Sequence, residues 1–239
     1  MHVLNQSIIH LWHTKLDDHC KKYPLYQSWL APNEKLHAEK MALPYRQNFV
    51  ISRAILRDLL AYYSKQYPEK LKLSYSASGK PLLIKNQGQR IEFNLSHSNN
   101  TLACVFTLGT PVGIDIEYIN SRMHLDKIAY RFLPAYEYDQ LQLLQGTNKL
   151  QAFFRAWARN EALIKAKGNI LQTHPYSRYK LSLTKLNSLK YKKQEIDSSF
   201  YTVSNLFLYP DFTTAIAVKG KEKPLVIQKY IKTMSELNN

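Results

Sequence analysis

Val112-Gly113-Ile114-Asp115-Ile116-Glu117 is the stretch on which the reading of this chain turns. Successive side chains of a β-strand point to opposite faces, so Asp115 and Glu117 share one face while Val112, Ile114 and Ile116 fill the other. Two neighbouring carboxylates repel unless a proton or a cation lies between them. A hard cation with oxygen ligands, Mg²⁺, is the economical occupant. Taken alone, the strand reads more readily as a half-buried edge strand with a solvated acidic face. A second stretch shifts the balance. Phe153-Phe154-Arg155-Ala156-Trp157-Ala158-Arg159-Asn160-Glu161-Ala162-Leu163-Ile164-Lys165 has helical periodicity and adds a third carboxylate beside a lysine.

The pattern predicts a helix over Gln151 to Lys167, stopped at Gly168, with Phe154, Trp157, Glu161 and Lys165 along one stripe. Glu161 and Lys165 have the spacing of an ordinary surface ion pair. Two large aromatics on the same stripe point it instead toward the interior or a cleft, where a carboxylate and an ammonium need a partner charge or a ligand.

Around these stretches the order of elements is legible. Ile8 to Leu16 alternates as a strand, and Leu25 to Met41 holds helical pieces broken at Pro24 and Pro32. Pro44 opens a helix to about Tyr63, on which Arg46, Arg53 and Arg57 fall within roughly 20° of one line. Such a stripe is either a solvated face or a grip for phosphate. Strands are expected at Leu71 to Ser76, Ile91 to Ser98 and Leu102 to Leu108. Helices follow at Met123 to Phe132 and Pro134 to Gln145, then strands at Tyr179 to Leu186, Ser199 to Tyr209, Thr213 to Lys219 and Leu225 to Ile231. Helices leading into small antiparallel sheets in both halves predict an α+β fold of two lobes, 1–118 and 119–239.

Composition bounds the partners. Of the 239 residues, 45% are hydrophobic, enough for a sizeable core, and no apolar run approaches the roughly 20 residues that span a bilayer. No secretion signal is visible, Cys20 and Cys104 sit in no metal or redox spacing, and a cytoplasmic protein without membrane contact is expected. The formal net charge of +15 favours polyanionic partners. Neither zinc-finger spacing nor an RNP-like aromatic block accompanies the lysine clusters, so nucleic acid is not the expected one.

Four blocks occur in order: Gly79-Lys80-Pro81, Phe93-Asn94-Leu95-Ser96-His97-Ser98, Gly113-Ile114-Asp115-Ile116-Glu117, and Trp157 followed by Glu161-Ala162 and Lys165. Together they resemble the Sfp-type 4′-phosphopantetheinyl transferases, and the likeness spans nearly the whole chain. It implies a monomeric pseudo-dimer of two similar α/β lobes with the active site in the cleft between them. It also implies transfer of 4′-phosphopantetheine from coenzyme A to a serine of an acyl carrier protein, or of a peptidyl or polyketide carrier domain, releasing adenosine 3′,5′-bisphosphate.

By position, Asp115, Glu117 and Glu161 match that family's Mg²⁺ ligands, with Mn²⁺ an admissible substitute. Glu161 matches the proposed general base, and Lys165 the lysine that steadies the pyrophosphate. Arg53 and His97 match contacts to the 3′-phosphate. Gly79, Lys80 and Pro81 match the adenine-side loop, and Asn94 and Ser96 belong to the same coenzyme-binding set. Three positions depart from the pattern: Asn160 replaces a lysine, while Asn99 and Ile170 replace glycines. The rivals are a protein binding nucleic acid or anionic surfaces, and a Mg²⁺-dependent phosphodiester hydrolase.

Overall fold

The computed structural model describes residues 4–77, 79–84, 90–121, 125–168, 189–192, 200–221 and 223–230. The expected strand at Tyr179 to Leu186 and the departure at Ile170 lie outside the described residues.

Strand β1 (Ile9–Lys15) leads through a 3₁₀ turn into α1 (Tyr23–Trp29), α2 (Pro32–Glu39) and the long α3 (Tyr45–Ser64). Proline at the first turns of α1 and α2 explains both breaks, because a missing N–H costs nothing there. A short hairpin, β2 (Leu73–Tyr75) and β3 (Pro81–Leu83), precedes β4 (Ile91–Ser98), β5 (Thr101–Leu108) and β6 (Val112–Tyr118). Then come α4 (Leu125–Phe132), α5 (Ala135–Gln142) and α6 (Gly146–Lys167). The chain closes with β7 (Leu189–Lys192), β8 (Phe200–Leu206), β9 (Phe212–Lys219) and β10 (Leu225–Lys229).

The strands form two four-stranded sheets, β10-β1-β5-β4 and β6-β9-β8-β7. The first is mixed, since β10 runs parallel to β1. Sheet membership crosses the boundary at 118/119: β6 belongs to the second sheet and β10 returns to the first.

Alternation along the strands builds the layers. Trp12, Phe93, Cys104 and Phe106 pack with Ile51, Ile55 and Leu59 of α3. On the opposite face, Leu11, Ala103 and Val105 meet Val112, Ile114, Ile116 and Ile216 of the second sheet. Ala158, Ala162 and Ala166 of α6 then pack on Ala215 and Ala217 of β9. The result is a mixed α/β arrangement in which sheet faces sheet and each has helices on its outer side.

Two details set the position of the acidic strand. Gly113 has the α6 backbone directly over it: a Cβ there would overlap the Ala162 carbonyl and the Ala166 backbone. Beside it, β6 is an edge strand, and β4 supplies side-chain partners along that edge. Ile114 N donates to Asn94 Oδ1 and Tyr118 N to Ser98 Oγ, both at 3.0 Å. These bonds satisfy amides that no neighbouring strand reaches.

Candidate active site

Residue-by-residue alternation on β6 gives the first half of the site. Asp115 and Glu117 lie on the face away from Ile114 and Ile116, as the sequence predicts. On α6, Trp157, Glu161 and Lys165 run one position ahead of the alanine stripe at 158, 162 and 166. The close Ala-on-Gly packing therefore carries them to the same place. A cavity of about 430 Å³ is lined by Leu95, Ser96, His97, Asp115, Glu117, Trp157, Glu161 and Lys165.

Asp115 is 2% exposed. Its Oδ1 accepts hydrogen bonds from Lys165 Nζ at 2.7 Å and Ser96 Oγ at 2.9 Å, and Lys165 Nζ also donates to Ser96 Oγ at 2.9 Å. Its Oδ2 is buried with no hydrogen-bond partner among the described residues. Burial pushes the Asp115 carboxyl above the usual range, against the pull of Lys165. Glu117 Oε1 accepts from Trp157 Nε1 at 3.1 Å and its Oε2 from Ser98 Oγ at 3.1 Å. Burial first, and the Asp115 charge second, push Glu117 up to about 7. Glu161 is buried on the same wall.

Two buried carboxylates, Asp115 and Glu161, and the half-buried Glu117, with one ammonium among them, form a site suited to chemistry on a phosphate ester, with Glu161 a candidate base and Lys165 a candidate hydrogen-bond donor to phosphate. As placed, however, no group of three His, Cys, Asp or Glu side chains among the described residues is gathered closely enough to hold a metal. Asp115 is engaged by Lys165, and Glu117 by Trp157 and Ser98.

The remaining expected residues divide. Arg53 and Gly79 line a second cavity of about 410 Å³ with Asn33, Glu34, His37, Phe49 and Tyr75. Arg53 and His97 thus face different cavities. The Arg53 guanidinium lies 5.5 Å from the Phe49 ring centroid and 5.6 Å from that of Tyr75. Its Nη1 is buried without a hydrogen-bond partner. The arginine stripe of α3 separates by role. Arg57 is wholly buried, holding Glu34 at 2.8 Å and the Pro68 and Leu71 carbonyls, while Arg46 binds the carbonyls of Ala38, Glu39 and Met41 at the end of α2. Lys80 Nζ donates to Val112 O at 3.3 Å and Lys165 O at 3.0 Å, bracing β6 against the last turn of α6. Burial lowers its pKa. Pro81 is a buried residue of β3, and Asn94 is buried against the β6 backbone.

Asn160 sits where a flanking position on the cleft is the natural expectation, one residue and about 100° from Glu161. It is instead 1% exposed, its Nδ2 donating to Ala156 O at 3.0 Å. The reason is that α6 is covered on both sides, by the sheet and by the cluster around α4 and α5. Asn99, the other departure within the described residues, occupies the left-handed region at φ 51°, which asparagine tolerates better than other non-glycine residues. Ser98 and Trp157, the two holders of Glu117, stand within the quoted motifs, but the sequence assigned them no role in the site; the period-two series Asn94, Ser96, Ser98 was the available signal.

Comparison with known proteins gives the class. Residues 111–217, which carry Asp115, Glu117, Glu161 and Lys165, match the model of the 4′-phosphopantetheinyl transferase superfamily. The chain is 34% identical over 163 residues to the 4′-phosphopantetheinyl transferase HetI of Nostoc sp., covering 67% of this chain and 69% of that protein. It is 33% identical over 112 residues to the 4′-phosphopantetheinyl transferase AcpT of Salmonella typhi, and 35% over 139 residues to psf-1 of Bacillus pumilus. The matches cover 47% and 54% of this chain, and 56% and 57% of those two proteins, less than two thirds of their length. The chain belongs to the 4′-phosphopantetheinyl transferase superfamily and is an enzyme of that class. No helix among the described residues is long and apolar enough to cross a membrane.

Proposed function

We propose that the chain takes 4′-phosphopantetheine from coenzyme A and attaches it to a serine of an acyl carrier protein, or of a peptidyl or polyketide carrier domain. Adenosine 3′,5′-bisphosphate leaves, and the protein works as a cytoplasmic monomer of two lobes. The observation that carries this reading is the convergence of Asp115, Glu117, Glu161, Lys165 and His97 on one cavity in a chain of this superfamily.

In donor chemistry the residues fit a divalent ion, although as placed the three carboxylates are not gathered on one point among the described residues. Every candidate ligand is a carboxylate oxygen, Asp115 Oδ2 is buried without a partner, and the carboxylates share too little positive charge to be comfortable as anions. Asp115, Glu117 and Glu161 would hold Mg²⁺ or Mn²⁺, which when bound neutralises charge on the coenzyme pyrophosphate.

The chain's own groups do the rest. Glu161 takes the proton of the carrier serine as its oxygen attacks the phosphorus, directly or through a water. Lys165 holds the pyrophosphate and supplies a proton to the departing bisphosphate. His97, exposed at the rim of the cavity, and Arg53, with a free Nη1, contact phosphate. Phe49 and Tyr75 offer faces for the adenine beside Gly79. Lys80 acts through β6 and α6, keeping Lys165 at its station.

The test is incubation with coenzyme A, Mg²⁺ and a panel of apo-carriers, reading intact carrier mass. A gain of one phosphopantetheine group on at least one carrier, abolished by EDTA, is the expected result. Cleavage of coenzyme A with every carrier unmodified would favour the hydrolase. Binding of nucleic acid that falls steeply with salt and survives loss of the carboxylates would favour the basic binding protein.

A further inference from the structure

The Lys165 ammonium occupies one of the two Asp115 carboxylate oxygens, Oδ1, and leaves the buried Oδ2 without a hydrogen-bond partner among the described residues. Lys165 Nζ, Ser96 Oγ and Asp115 Oδ1 close a triangle with sides of 2.7, 2.9 and 2.9 Å. The three carboxylates of the cavity are meanwhile not gathered around a common point among the described residues. A divalent ion on the free Oδ2 would lie close to that ammonium on Oδ1, and two cations on one buried carboxylate repel strongly in a poorly screened site.

The two partners differ in freedom. Asp115 sits in mid-strand between β9 and the side chains of β4, and cannot withdraw. Lys165 stands in the last turn of α6, its side chain 25% exposed on a flexible four-carbon stem. Its carbonyl is pinned by Lys80 Nζ, so the side chain can leave while the backbone stays.

From this we infer that Lys165 is the site's resident counter-ion, and that a divalent cation binds Asp115 only by displacing the Lys165 ammonium into the cavity. The inference rests on the metal reading above and deepens it. Metal entry and release of the phosphate-binding ammonium become one event: before the ion arrives Lys165 is held on Asp115, and afterwards it is free in the space where the pyrophosphate would lie. Lys165 thereby sets metal affinity as well as contacting substrate.

The experiment is calorimetric titration of the full chain with Mn²⁺ alone, without coenzyme A or carrier. Lys165→Met should bind Mn²⁺ about ten- to a hundredfold more tightly than wild type, the equivalent of one charge-assisted contact no longer broken on binding. The tightening should persist at high salt, because a contact on a buried carboxylate is screened far less than a general surface field. Asp115→Asn should lose the binding in either background. If Lys165→Met folds poorly, Lys165→Gln takes its place, and Mn²⁺ should then raise its melting temperature more than that of wild type. Equal or weaker Mn²⁺ binding in the lysine variants, with wild type binding normally, overturns the displacement while leaving the metal reading intact. No Mn²⁺ binding by any of the proteins overturns the metal reading and the displacement together.

Discussion

Gly113 lies directly beneath the Ala162 carbonyl, in the space that a side chain at 113 would need. This single close approach lets α6 rest on β6 with only Ala158, Ala162 and Ala166 between them, and so brings Glu161 and Lys165 level with Asp115 and Glu117. Gly113→Ala should therefore act on fold and activity together. Overpacking of a filled contact costs about 1–3 kcal/mol, or roughly 2–12 °C in melting temperature for a chain of this size. Carrier modification should fall with it. An unchanged melting temperature would show that the helix does not depend on a bare backbone at 113.

Glu117 makes the metal-free protein sensitive to pH in an unusual direction. Its pKa is pushed up to about 7 by burial and by Asp115, from an ordinary 4.5. A carboxyl whose folded pKa is raised binds its proton better in the folded state, so between about 4.5 and 7 the folded form carries more protons. Stability then declines as pH rises through that window. Melting temperatures of EDTA-treated protein should fall from pH 5 to pH 7 by a margin that Glu117→Gln largely removes. A variant that follows the wild-type profile would locate the dependence elsewhere.

Arg53 and Arg57 lie one turn apart on α3 and share Glu34, yet they should fail in different ways. Arg57 makes the 2.8 Å pair with a buried carboxylate, and removing one partner of such a pair costs about 3–5 kcal/mol. Arg57→Met should lower the melting temperature by roughly 6–20 °C. Arg53 lies 3.5 Å from the same carboxylate and turns to the second cavity, so Arg53→Ala should melt within a few degrees of wild type, roughly. It should weaken use of coenzyme A by about ten- to a hundredfold, the worth of one charge-assisted bond to phosphate. Dephospho-coenzyme A, without the 3′-phosphate, should be a poor substrate for wild type and suffer little further loss in the variant. Equal losses with both would remove Arg53 from the phosphate pocket.

What the sequence revealed follows from the reach of periodicity. Alternation on β6 and the four-residue spacing of Trp157, Glu161 and Lys165 are local, and both predicted faces are the observed ones. The α6 start at Gly146 was not legible: Gly146 through Leu150 contain no apolar stripe, and the first turn is tied instead by Lys149 to Asp126 of α4. Long-range matters were equally hidden. An arginine stripe on α3 does not reveal that Arg57 is wholly enclosed with Glu34 while Arg53, near the same carboxylate, lines the second cavity. Nor does a basic loop at Gly79-Lys80-Pro81 reveal that Lys80 reaches the carbonyls of Val112 and Lys165. Asn160 shows the same limit, because a helical wheel gives direction and says nothing of the second layer that buries it.

The most direct test of the central claim is the rate of carrier modification in Glu161→Gln, measured by intact mass at saturating coenzyme A and Mg²⁺. Glu161 is buried, and the change to glutamine keeps its shape while removing the base and a ligand charge. The rate should fall by about a hundred- to ten-thousandfold, the worth of a positioned general base, with the melting temperature retained. Transfer at near wild-type rate by the folded variant would contradict the assignment of this cavity as the transfer centre.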